Sequence, residues 1–114
     1  MAKYIIIYSS SEDPLAMMNN ATPEQMQASM AEWTRWRNEA VQEFSVEFGM
    51  PFHAIAKLDS DGVTDSDSHN SGYSILEGDK DKIIEKLRSH PQLKRPGATI
   101  DVFEFLAMPG LEDS

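Results

Sequence analysis

The second half of the chain carries one unbroken pattern that restricts its fold more than any other feature. Gly72–Glu77 alternates like a strand, Asp79–Ser89 has helical spacing, His90-Pro91 stops that helix, and Thr99–Leu106 returns to strand character. A related unit opens the chain, where Tyr4–Tyr8 places two aromatics and three isoleucines in a strand-like run ahead of a long helical stretch. Two such units fit one sheet with two helices on one face. The expected fold is therefore α+β, a ferredoxin-like βαββαβ protomer. At 114 residues it forms a single domain, 1–114, with a short tail at about 107–114.

The punctuation supports the same order. Ser9–Ala21 is polar and turn-rich, with Asp13-Pro14 and Asn19-Asn20, and is expected to be a loop. Thr22-Pro23-Glu24-Gln25 is a helix start: Thr22 caps, Pro23 suits the first helical position and Gln25 completes a capping box. Met26, Met30, Trp33, Trp36, Ala40, Val41, Phe44 and Phe48 recur at three- and four-residue steps, which predicts a long amphipathic helix ending near Gly49, with Pro51 barring continuation. Phe52–Leu58 and Val63-Thr64 read as strands joined by the Asp59-Ser60-Asp61-Gly62 turn. In the second helix, Asp79 caps and Ile83, Ile84 and Leu87 are expected to face the sheet.

Both faces of the expected sheet are apolar. Ile5 and Ile7 alternate with Tyr4, Ile6 and Tyr8, and Phe103 and Phe105 alternate with Ile100, Val102 and Leu106. Two helices cover one face, so the other predicts a homodimer packed sheet to sheet.

Composition removes several functions. The chain has no cysteine, which excludes disulfides, thiol nucleophiles and cysteine-based metal or iron–sulfur sites and agrees with a reducing compartment. The start, Met1-Ala2-Lys3, has no signal-peptide organisation, so a cytoplasmic location is expected. No apolar run approaches the roughly 20 residues that span a bilayer. A net charge of −9 with no Lys/Arg cluster argues against nucleic acid and anionic membranes as partners.

Several of these segments together resemble the YCII-related (YciI-like) family. They are the Tyr4–Tyr8 strand, Trp33-x-x-Trp36, Asp61-Gly62-Val63, Gly72-Tyr73-Ser74-Ile75, Ser89-His90-Pro91, Ile100-Asp101-Val102-Phe103-Glu104 and Met108-Pro109-Gly110. The resemblance covers nearly the whole chain and implies a dimeric α/β barrel of ferredoxin-like protomers, with a small pocket between the sheet and both helices. The Asp-Gly-Pro-Phe segment of DGPF-type relatives is absent; Thr64-Asp65-Ser66-Asp67-Ser68-His69 stands in its place. Some members are enzymes of the chlorohydroxyhydroquinone dehydrochlorinase type, whose acid–base pair is a His early in the first helix and an Asp before the Pro that ends the second. The matching positions here hold Gln25 and His90, so that dyad is not reproduced.

The candidate site residues are His90 as proton carrier and Tyr8, Gln25, Trp33, Trp36 and Tyr73 as pocket lining. Each has a plainer reading. His90 can be a helix-end residue bonded to a carbonyl, the tryptophans can be core at helical spacing, and the tyrosines can be amphipathic sheet residues. His53 and His69 oppose each other if the hairpin stays in register, but three histidines without ligand spacing define no metal site. The aspartates from Asp59 to Asp67 fail a calcium-loop match, with Thr64 at the glycine position and Asn70 at the bidentate-acid position. No cofactor is implied. Two functions follow: a dimeric small-molecule-binding or accessory domain, or an enzyme using acid–base chemistry on an aromatic or enol-like compound.

Overall fold

The computed structural model describes residues 2–110. In chain order it contains β1 (Lys3–Ser9), α1 (Pro14–Asn20), α2 (Pro23–Ala40), β2 (Ser45–Phe48), β3 (Lys57–Asp59), β4 (Gly62–Thr64), β5 (Asn70–Glu77), α3 (Lys80–Leu87), a 3-10 turn (Pro91–Lys94) and β6 (Thr99–Glu104). The fold is α+β: one four-stranded antiparallel sheet in the order β2-β5-β1-β6, three α-helices, and β3–β4 as a separate two-stranded ribbon. No helix among the described residues is long and apolar enough to cross a membrane.

Strand parity determines what the helices cover. In β1, Tyr4, Ile6 and Tyr8 are buried while Ile5 and Ile7 are half-buried. Ile6 pairs with Ser74 on one side and Val102 on the other, so these residues share its face. Leu76 joins them from β5. From the helices Trp36, Ala40, Ile83 and Leu87 pack down, with Phe44 at the corner after α2, to complete the core. On the opposite face Ile5, Ile7, Tyr73 and Ile75 remain half-buried, and Phe103 and Phe105 are 53% and 50% exposed. The core residues of α2 and α3 all pack on the other face, and by register Glu47 and Asp101 share this open one.

The expected capping box is present. Thr22 Oγ1 accepts from the Gln25 N–H at 3.1 Å, and Gln25 Oε1 accepts from the Thr22 N–H at 2.8 Å. The helix, however, ends at Ala40 and does not reach Gly49. Phe44 and Phe48 satisfy a helical step of four, but Val46 and Phe48 satisfy a strand step of two equally well. The pairing of Val46 with Leu76 and Phe48 with Ser74 decides in favour of the strand. Phe44 is buried and lies over Gly78, where an added Cβ would come within 2.7 Å of its ring.

Three other expectations change. The Ser9–Ala21 segment contains α1, capped by Asp13, whose carboxylate accepts from the Ala16 N–H at 3.1 Å, with Pro14 at the first position. Phe52–Leu58 is not a sheet strand; β2 already occupies the edge beside β5, and only Lys57–Asp59 is extended, paired with β4. Ile84 is 42% exposed, so only Ile83 and Leu87 of α3 enter the core. Residues 107–110 follow β6 as irregular chain, and the rest of the expected tail, 111–114, lies outside the described residues.

Candidate functional site

His90 lies between α3 and the 3-10 turn, at the centre of an aromatic cluster. Its backbone is extended and caps the turn: Nδ1 accepts from the Gln92 N–H at 3.0 Å. The imidazole is 1% exposed. Its ring centroid lies 4.5 Å from Trp33, 4.5 Å from Trp36 and 5.0 Å from Tyr8. The hydrogen bond to Nδ1 assigns the ring proton to Nε2, which has no hydrogen-bond partner among the described residues. Burial holds the His90 pKa down at about 4, so the ring is neutral at physiological pH.

Each neighbour is itself fixed. Tyr8 contributes its hydroxyl to a 2.7 Å hydrogen bond with Ser74 Oγ, and burial pushes its pKa up to about 12 although that bond opposes the shift. Trp36 donates its indole N–H to the Lys86 carbonyl at 3.2 Å. Trp33 packs edge-on against Tyr8 at 4.9 Å and Phe48 at 6.1 Å. The Gln92 side-chain amide donates to the Ser9 carbonyl at 2.9 Å, tying the 3-10 turn to the end of β1. Ser74 and Gln92 escape sequence reasoning; the available signal is parity, since Ser74 lies two residues before Leu76 and therefore on the buried face.

Of the six expected site residues, four meet: Tyr8, Trp33, Trp36 and His90. Their rings fill the space between the sheet and the helices. Gln25 does not join them; it is exposed at the start of α2, with its side chain engaged in the capping box. Tyr73 lies on the opposite sheet face, because its neighbour Ile7 has the parity of the open side. There it stacks on Phe52 at 6.4 Å and covers Gly49, where an added Cβ would collide with its ring at 2.0 Å.

Two surface depressions lie outside the ring cluster. One runs along the outer side of α2 past Met26, Met30, Thr34 and Asn38. A smaller one, about 140 Å³, borders the cluster, lined by Trp36, Ser89 and Pro91 together with Glu32, Arg35, Glu39 and Lys94. Neither is lined by His90. His69 bonds the Ser10 carbonyl through Nδ1 at 3.2 Å while His53 is exposed, and no group of three metal-ligating side chains occurs among the described residues. Asp59 closes the ribbon turn by accepting from the Asp61 and Gly62 N–H groups at 2.8 and 3.1 Å.

The arrangement suits packing better than proton transfer. A catalytic acid or base needs a substrate within hydrogen-bond reach, and His90 is walled by aromatic rings on three sides. No family model, no curated protein and no solved structure matches this chain.

Proposed function

We propose that this chain is a YCII-related assembly domain, a binding or accessory module that acts as a homodimer and is not an acid–base enzyme. The observation that carries the proposal is the open sheet face, where Ile5, Ile7, Tyr73, Ile75, Phe103 and Phe105 form an apolar centre flanked by Glu47 and Asp101. An apolar face of this size on a chain with net charge −9 calls for a partner surface. Sheet-to-sheet packing of two copies around a two-fold axis supplies one, closing a dimeric α/β barrel. The ferredoxin-like reading is supported by the strand order: with α1 and the β3–β4 ribbon set aside, the elements run strand, helix, strand, strand, helix, strand. The absence of cysteine agrees with a cytoplasmic setting.

The enzymatic alternative relies on His90. Its burial and its depressed pKa favour the binding reading, and the small depression past Trp36, Ser89 and Pro91 is not lined by the imidazole itself. Sedimentation velocity at micromolar concentration tests the proposal. The expected mass is about twice the 12.8 kDa of one chain. A single species at the one-chain mass across that range overturns it.

A further inference from the structure

We propose that the β3–β4 ribbon is an exchanged arm that lies along the rim of the sheet-to-sheet interface, against the margin of a second copy's open face, while the second copy's ribbon returns the contact. The inference rests on the dimeric reading above and adds the element that completes the interface.

Its first support is the isolation of the ribbon. β3 and β4 pair only with each other, and all six of their residues are exposed. A two-stranded hairpin standing alone in water is marginally stable; it needs a further strand or an apolar surface beneath it. The ribbon offers the means to gain one. Leu58 and Val63 are directly cross-strand partners, so their side chains share one face, and they are 70% and 66% exposed. Ile55, 76% exposed, extends the apolar stretch toward the base of the arm.

The second support is continuity. The arm leaves the domain along the edge of β5, where the Gly49 N–H bonds the Tyr73 carbonyl and the Phe52 N–H bonds the Ser71 carbonyl, and the Phe52 ring turns onto the open face to stack on Tyr73. From Phe52 to the turn at Asp61 the chain can reach up to about 30 Å when extended. The four strands of the sheet span about 19 Å. An arm rooted beside one open face is therefore long enough to reach along the rim of a second one.

A stable complex buries about 800 Å² of accessible surface on each partner. The open face has a footprint of roughly 400 Å², and by register Glu47 and Asp101 share it with the apolar side chains, so further apolar area strengthens the interface. Two exchanged arms add apolar area at both ends, and two-fold symmetry makes the exchange reciprocal without any further component.

The test uses the full-length chain. A dilution series by analytical ultracentrifugation is run on the wild type and on the double variant Leu58→Ser/Val63→Ser, with far-ultraviolet circular dichroism as the fold control. Amide exchange at residues 57–64 is followed at concentrations above and below the dissociation midpoint. The proposal expects the double variant to keep its circular dichroism and to raise the dimer dissociation constant at least about tenfold. It also expects the wild-type arm amides to be protected in the dimer and to exchange freely on dilution. A wild type that is monomeric throughout removes the dimeric reading and the arm with it. A wild-type dimer whose arm amides exchange freely, or whose dissociation constant is unmoved by the double variant, overturns the arm alone and leaves the open face as the whole interface. Arm protection that persists in the monomer also overturns it.

Discussion

At the scale of single residues, His90 sets a measurable constraint. A buried neutral imidazole has its pKa depressed, here to about 4, below the roughly 6.5 of an exposed histidine. As pH falls, the unfolded chain takes up a proton that the folded chain refuses. The stability owed to this group is therefore complete above about pH 6.5 and is lost progressively down to about pH 4, with a slope of up to about 1.4 kcal/mol per pH unit. Urea midpoints of wild type and His90→Gln, measured from pH 8 to 4, check this. The variant keeps an acceptor for the Gln92 N–H but cannot charge, so the two curves should converge as pH falls; parallel curves count against a neutral buried ring. The inward faces of Trp33 and Trp36 and the helix end at His90-Pro91 were legible as local signals, whereas their meeting joins two separate elements and was carried only by the resemblance. The separation of Tyr73 from Tyr8 was not legible. It depends on the register Tyr8 opposite Gly72, and nothing within either strand reveals which residues of the other it will face.

At the scale of elements, α2 shows where local signals lose to the sheet. Its start was readable from Thr22, Pro23 and Gln25. Its end was not, because Ala40, Phe44 and Phe48 continue a helical period into residues that the edge of β5 recruits as β2. The missed α1 had a visible cap in Asp13 followed by Pro14, a pair that marks a turn and a helix start alike. The orientation of α2 is open to a direct check. Trp36 is 4% exposed and donates a hydrogen bond to Lys86, whereas Trp33 is only half-buried. Trp36→Ala should cost about 3–5 kcal/mol of unfolding free energy, and Trp33→Ala clearly less. Equal losses in chemical denaturation would mean that the rotation of α2 about its axis differs from the one described.

At the scale of the whole molecule, shape and charge act together. The Cα radius of gyration is 15.8 Å, whereas a close-packed chain of this length has about 13 Å. The excess agrees with a flat, half-covered sheet bearing a projecting ribbon. Two copies of net charge −9 repel each other, so their association should tighten with added salt; a dissociation constant that falls between 20 mM and 300 mM NaCl supports burial of apolar faces, and one that rises points to ion pairing across the interface. The ribbon also divides the chain in an unusual place. The segment before it supplies β1 and β2, the segment after it supplies β5 and β6, and the order β2-β5-β1-β6 alternates between the two. Every ladder of the main sheet therefore joins one segment to the other, and neither segment holds a pair of neighbouring strands. A backbone cut within 57–64 would leave two fragments, each unable to build any sheet by itself and able to regain one only by recombining, which makes the protein a natural scaffold for a split reporter whose signal requires both pieces.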